Sequence, residues 1–119
     1  MSFCKTNFAV MFPGQGSQYV GMGKTLYDNF PIAKEIFKES EEILNFPISS
    51  LCFKGDIQEL TKTNNAQPAL LITSYIMYRI YIKEKGLVPI ALLGHSLGEI
   101  TALTCSGAIN FTDALNIVK

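Results

Sequence analysis

The hydrophobic residues include two short unbroken runs, and longer stretches of mixed residues lie between and after them. The first run extends from Phe8 to Phe12 and stops at Pro13-Gly14, and the second extends from Leu87 to Leu93 and stops at Gly94. A short run that is apolar at every position is typical of a strand buried on both faces of a parallel sheet. The pattern therefore predicts two buried strands.

Helical spacing is present between the two runs. From Pro31 to Leu44, apolar residues recur at helical intervals among charged ones, which predicts an amphipathic surface helix. A longer apolar helix is predicted to begin near Pro68, with Asn65 as its cap, and to run to about Lys85 before Gly86 ends it. We expect most of this second helix to be buried.

Shorter helical segments are predicted at Asp56 to Leu60, Ser96 to Gly107 and Asn110 to Lys119. The elements then follow the order strand, helices, strand and helices. This order predicts an α/β fold with a parallel sheet and right-handed crossovers. A length of 119 residues leaves room for one core, so we expect one domain over residues 1–119.

The segment Gly94-His95-Ser96-Leu97-Gly98 has the spacing G-x-S-x-G between a predicted strand and a predicted helix. A sharp turn at this place would expose the hydroxyl of Ser96 at the start of a helix, where the N–H of Leu97 can face a developing oxyanion. Ser96 is therefore the candidate nucleophile. The alternative is an ordinary Gly/Ser turn without chemistry.

A serine nucleophile needs a base within hydrogen-bonding reach. The chain has one histidine, His95, and side chains of adjacent residues diverge at the tip of such a turn. We therefore expect His95 to line or support the pocket instead of acting as the base. The base then comes from residues beyond Lys119 or from another chain, or the protein performs no serine chemistry.

A second glycine-rich segment, residues 13–23, follows the first predicted strand. It fits neither a dinucleotide-binding motif nor a phosphate-binding P-loop, because Tyr19 and Gln18 stand where those motifs require glycine. What remains is a loop that brings the amides of Gln15 and Gln18 to the carboxyl edge of the sheet, where open α/β sheets bind ligands. A backbone N–H of this loop could be a second oxyanion donor, and a plain connecting loop is the alternative.

The charge balance excludes some partners. Ten Lys and Arg residues against ten Asp and Glu residues give a net charge of +0, which predicts neither nucleic-acid nor membrane binding. The longest apolar stretch, Ala69 to Ile82, contains Arg79 and is shorter than the roughly 20 residues of a membrane span. The apolar run near the N-terminus is too short for a signal peptide, so a cytoplasmic location is expected.

The cysteines give no sign of a metal site. Cys4, Cys52 and Cys105 lie far apart in the sequence and form no Cys-x-x-Cys or Cys/His cluster. We expect reduced, structural thiols and no bound metal.

Three segments of the sequence carry a resemblance to a known family. They are Pro13-Gly14-Gln15-Gly16-Ser17-Gln18, Asn65-Ala66-Gln67-Pro68-Ala69-Leu70 and Gly94-His95-Ser96-Leu97-Gly98-Glu99. Their order and spacing resemble the malonyl-CoA:acyl carrier protein transacylases and the acyltransferase domains of polyketide synthases. The resemblance extends from Phe8 to Val118 and corresponds to the N-terminal portion of that family's catalytic domain. It implies the α/β-hydrolase-like core of the large subdomain, incomplete at its C-terminal end, with the ferredoxin-like small subdomain absent.

The resemblance also implies an activity. A malonyl or related acyl group would pass from coenzyme A to Ser96, and then to the phosphopantetheine thiol of an acyl carrier protein, in fatty acid or polyketide biosynthesis. Coenzyme A thioester would be the substrate, and no cofactor would stay bound. The backbone N–H groups of Gln15 and Leu97 would form the oxyanion hole, and Gln67 and His95 would contact the substrate.

In that family an arginine that pairs with the malonyl carboxylate and a catalytic histidine follow later, beyond Lys119 of this sequence. Two alternatives therefore stay open, an acyl hydrolase that uses the same serine and a catalytically inactive truncated chain. With 48% hydrophobic and 17% charged residues, the isolated chain is also expected to self-associate or to bind a hydrophobic dye strongly.

Overall fold

The structure is a computed structural model that describes Cys4–Lys5 and residues 7–119, with the backbone alone described for the first two. It alternates short strands with helices. In chain order the elements are β1 (Cys4–Lys5), β2 (Ala9–Phe12), α1 (Lys24–Asn29), α2 (Pro31–Leu44), α3 (Ile48–Lys54), α4 (Ile57–Thr61), α5 (Thr63–Lys85), β3 (Leu87–Val88), β4 (Ala91–Gly94), α6 (Leu97–Ser106) and α7 (Phe111–Val118).

All strand pairing in the described residues is parallel. β2 pairs with β4 in a register that runs from Ala9 opposite Ala91 to Phe12 opposite Gly94, and β1 pairs with β3. Helices connect the paired strands, as a parallel pair requires. The predicted α/β fold with a parallel sheet is confirmed.

The prediction that both apolar runs are buried on both faces is wrong. Successive side chains of a strand point to opposite faces, and the parallel register places Met11 beside Leu93 on one of them. Met11 is 75% exposed and Leu93 is 43% exposed, because the described helices pack against the other face only. The second run is also interrupted at Pro89, which has no N–H for a strand ladder, so it forms β3 and β4 separately.

The core lies around α5. Its buried residues pack against α2, α6 and α7, and the hydrophobic cluster includes Phe37 of α2 and Leu115 of α7 at 0% exposure. The amphipathic helix predicted for Pro31 to Leu44 has those bounds, and the short turn after Asp56 is α4. Helices α1 and α3 were not predicted, since each is shorter than two full helical periods and gives little periodic signal.

Helix α5 begins earlier than its sequence predicts. The carbonyl of Lys62 accepts hydrogen bonds from the N–H groups of Asn65 (2.9 Å) and Ala66 (2.8 Å), so the first turn closes before Pro68. Asn65 is therefore not the cap, and its side chain donates to the carbonyl of Glu59 at 2.9 Å. The predicted end is confirmed, because Gly86 takes a left-handed conformation (φ 64°) directly after Lys85.

Candidate active site

Ser96 lies at a sharp turn between β4 and α6. Its backbone angles are φ 56° and ψ −113°, a conformation that residues with a side chain rarely adopt. Serine at the start of a helix ordinarily caps it with a side-chain hydrogen bond, but Ser96 makes no such bond, and the residue is exposed. The turn therefore presents a free hydroxyl at the N-terminus of a helix.

Two glycines allow this turn because other backbone segments pass very close to them. A Cβ atom on Gly94 would lie 2.1 Å from the backbone carbonyl of Gly98, and one on Gly98 would lie 2.3 Å from the carbonyl oxygen of Phe12. No side chain fits at those distances. The G-x-S-x-G spacing is thus a steric requirement of the contact between β2, β4 and α6.

The glycine-rich loop lies against the same turn. The N–H of His95 donates to the carbonyl of Phe12 at 3.4 Å. A Cβ atom on Gly14 would lie 2.7 Å from the carbonyl oxygen of His95 and 3.4 Å from its Nδ1. The structure therefore brings the loop that carries Gln15 next to the turn that carries Ser96, and it places the imidazole of His95 against Gly14.

The predicted oxyanion donors differ in how they are held. Leu97 is the first residue of α6, and no intrahelical partner exists for an N–H at that position. The side chain of Gln15 donates from Nε2 to Oγ1 of Thr63 at 3.0 Å, so it is directed toward α5. Both backbone N–H groups thus belong to segments that meet at the turn.

Gln67 is brought to this region by α5. It is half-buried and lies one helical turn after Thr63, so the two residues share a face of the helix. Since Thr63 contacts Gln15, that face is directed toward the glycine-rich loop. Thr63 could not be identified from the sequence, because it precedes the segment from Asn65 to Leu70 and belongs to no recognisable pattern.

The Acyl transferase domain family matches residues 10–119 of this sequence. The chain belongs to the acyl transferase domain family. A malonyl CoA-acyl carrier protein transacylase of Bacillus subtilis strain 168 is 51% identical over 114 residues, which cover 96% of this chain and 36% of the relative.

Solved structures agree with this family. An acyl carrier protein S-malonyltransferase from Vibrio cholerae has a TM-score of 0.89 and 41% identity, over 95% of this chain and 37% of that one. A malonyl-transacylase solved in complex with a type II polyketide synthase acyl-carrier protein has a TM-score of 0.90 and 41% identity, over 95% and 37% of the two chains. The chain thus spans little more than a third of the length of these relatives.

Two cysteine thiols of the chain are poor nucleophiles. Burial raises the pKa of Cys52 to about 12, with the Glu41 carboxylate adding to the shift, and burial raises the pKa of Cys105 to about 12. The thiolate is the reactive form of cysteine, so neither group is nucleophilic at neutral pH. Both are free thiols, as predicted, whereas the side chain of Cys4 lies outside the described residues.

A groove of about 750 Å³ lies beside β4. Its walls include β4 itself and Leu103 and Cys105 of α6, and Ser96 is not among its lining residues. Among the described strands, β4 pairs only with β2. The sequence could not predict this groove, because its existence depends on which elements cover β4.

Two structural features are absent from the described part of the chain. No helix there is long and apolar enough to cross a membrane. No three His, Cys, Asp or Glu side chains of that part come together as a group that could hold a metal ion.

Proposed function

We propose that this chain supplies the nucleophile of an enzyme that transfers a malonyl or related acyl group from coenzyme A to the phosphopantetheine thiol of an acyl carrier protein. The observation that carries the proposal is the turn at Ser96, whose exposed hydroxyl does not cap α6. Membership of the acyl transferase domain family and the names of the relatives support this activity.

In the proposed reaction, Oγ of Ser96 attacks the carbonyl carbon of the coenzyme A thioester. The Oγ–C bond forms, the C–S bond breaks, and coenzyme A leaves as a thiol with the proton that Ser96 lost. The N–H groups of Gln15 and Leu97 stabilise the oxyanion, while Gln67 and His95 contact the substrate. The carrier thiol then attacks the carbonyl carbon of the acyl-serine: the S–C bond forms, the Oγ–C bond breaks, and the proton that the thiol loses returns to Oγ of Ser96.

The proton transfers need a base, which we assign to a group outside this chain. The one histidine of the sequence, His95, is not assigned this role, because its imidazole lies against Gly14 of the glycine-rich loop. The malonyl carboxylate needs a cation, but the one arginine of the sequence, Arg79, lies on α5 and contacts the hydroxyl of Tyr75 at 3.4 Å. We therefore propose that the 119-residue chain alone does not transfer malonyl groups.

The alternatives to this proposal concern the acceptor of the acyl group and the biosynthetic pathway. Hydrolysis would use the same serine with water as the acceptor, so a hydrolase is the second candidate function. Fatty acid and polyketide biosynthesis use the same transfer, and one relative was solved in complex with a type II polyketide synthase acyl-carrier protein. The cytoplasmic location stays a prediction.

A chimera tests the proposed function. In it, this chain replaces the aligned segment of the Bacillus subtilis relative, which is 51% identical to it. We expect the chimera to transfer malonyl groups from malonyl-CoA to a carrier protein, measured by the mass of the carrier, while the chain alone transfers none. Release of free malonate at the same rate with and without the carrier would instead identify a hydrolase.

We also propose that the chain made alone self-associates through the exposed face of β2 and β4. Met11 and Leu93 lie side by side there at 75% and 43% exposure, and a net charge of +0 provides no repulsion between copies. Light scattering should therefore find oligomers, and the double substitution Met11→Lys, Leu93→Lys should shift them to monomers.

The matched control is Ile117→Lys, which adds one charge at a residue of α7 that is 63% exposed. It should leave the oligomers unchanged. A monodisperse monomer of the unsubstituted chain would contradict this proposal without affecting the proposed chemistry.

A further inference from the structure

One hydrogen bond joins the glycine-rich loop to α5. The Gln15 side chain donates to Oγ1 of Thr63 at 3.0 Å, between residues 48 positions apart. We propose that Thr63 is a positioning residue, whose hydroxyl fixes Gln15 so that its backbone N–H stays directed at the oxyanion formed on Ser96. This inference rests on the proposed function of Ser96 and Gln15.

The loop has few other attachments near Gln15. On one side Gly14 packs against His95, and on the other the N–H of Gly21 donates to the carbonyl of Cys52 at 2.7 Å. Between them, the N–H of Gly16 donates to Oε1 of Gln18 at 2.8 Å, which is a bond within the loop. In the described part of the chain, the bond to Thr63 is the only hydrogen bond that joins residues 15–20 to another element.

Packing does not replace this hydrogen bond. Gly16 has a positive φ of 114°, and a Cβ atom built on it would have no atom within 4 Å, so the loop there faces open space. Glycine also allows the widest range of backbone conformations. Beyond the contact of Gly14 with His95, the hydrogen bond between the exposed side chains of Gln15 and Thr63 is therefore the contact that restrains the loop at Gln15.

Thr63 is suited to hold the loop because its own position is fixed. It is the first residue of α5, whose first turn is closed by two hydrogen bonds to the carbonyl of Lys62. Ala66, one turn into the helix, is completely buried. An oxyanion donor is effective at about 2.7–3.1 Å from the oxyanion and weakens as it moves away, so a fixed support for the loop should affect the rate of acylation.

The contact itself can be tested in the 119-residue chain by hydrogen–deuterium exchange. Thr63→Val should increase exchange in the peptide that contains residues 14–19, and Thr63→Ser, which keeps the hydroxyl, should restore the parent exchange. The matched control is Thr61→Val, because the Thr61 hydroxyl donates to the carbonyl of Ile57 at 2.7 Å within α4. It should leave the loop unchanged.

The effect on chemistry is measured as the rate of Ser96 acylation in the chimera. Thr63→Val and Gln15→Ala each remove the same neutral hydrogen bond, so each should slow acylation about three- to tenfold with KM for malonyl-CoA unchanged. The double variant should be no slower than either single variant, and Thr63→Ser should restore the rate. Gln15→Pro, which removes the N–H itself, should slow acylation by roughly 10²- to 10³-fold.

The outcomes separate this inference from the function on which it rests. Equal exchange of the loop in Thr63→Val and parent chains would overturn the positioning role, and so would losses that multiply in the double variant. Failure of Thr63→Ser to restore either measurement would assign the effect to packing and would also overturn it. Absence of acylation in the unsubstituted chimera would instead contradict the proposed function.

Discussion

Replacement of Ser96 by alanine in the chimera should lower the rate of malonyl transfer by about 10⁴-fold or more, as expected when a covalent nucleophile is removed. The hydroxyl is exposed and makes no capping bond, so its loss should not unfold the protein. Intact-mass measurement after incubation with malonyl-CoA should find one malonyl adduct on the parent, mapped to Ser96, and none on the variant.

The strained backbone conformation of Ser96 leads to a second prediction for this residue, which concerns stability. A φ of 56° is strained for serine, at a cost of about 1–3 kcal/mol, but is readily adopted by glycine. Ser96→Gly should therefore be as inactive as Ser96→Ala and yet be more stable than the parent, by about 1 kcal/mol after the entropy cost of glycine. Chemical denaturation of the chimera measures this difference.

Ser50→Ala is the matched control, since Ser50 is an exposed serine of α3 that lies outside the turn. It should retain the adduct and the full rate. An adduct that persists in Ser96→Ala would mean that another side chain is acylated, and the assignment of the nucleophile would be wrong.

The local features of the fold could be predicted because short-range chemistry determines them. The helix from Pro31 to Leu44 follows from its own spacing, and Gly86 ends α5 because glycine readily takes a left-handed conformation. The turn at Ser96 could be predicted from its local pattern, a glycine two residues away on each side, although the need for Gly98 comes from its contact with Phe12, which is distant in sequence.

Features that depend on distant residues were not predictable. An apolar run indicates a strand, but its burial depends on what packs on each face, so Met11 was expected to be buried and is exposed. The start of α5 was placed too late because the cap was inferred from Asn65, whereas the first turn closes on Lys62. The contact of Gln15 with Thr63 joins residues with no shared pattern, and only the folded chain brings them together.

Replacement of Gly98 by alanine should prevent the observed contact between α6 and β2. The new Cβ would lie 2.3 Å from the carbonyl oxygen and 2.9 Å from the carbonyl carbon of Phe12, and 3.1 Å from the carbonyl oxygen of Pro13. All three neighbours are backbone atoms, which cannot move aside as a flexible side chain can. Overpacking of this kind costs about 1–3 kcal/mol, so the melting temperature of the chimera should fall by roughly 2–5 °C.

The rate of transfer should fall together with stability, because displacement of α6 moves the N–H of Leu97 and the hydroxyl of Ser96 relative to the loop that carries Gln15. Glu99→Ala is the matched control, since Glu99 is the next residue of the same helix and is exposed. It loses at most the favourable charge at the helix N-terminus, worth up to about 1 kcal/mol. A Gly98→Ala variant with parent stability and rate would show that α6 can move away from Phe12 without cost, and that the close contact does not hold Ser96 in place.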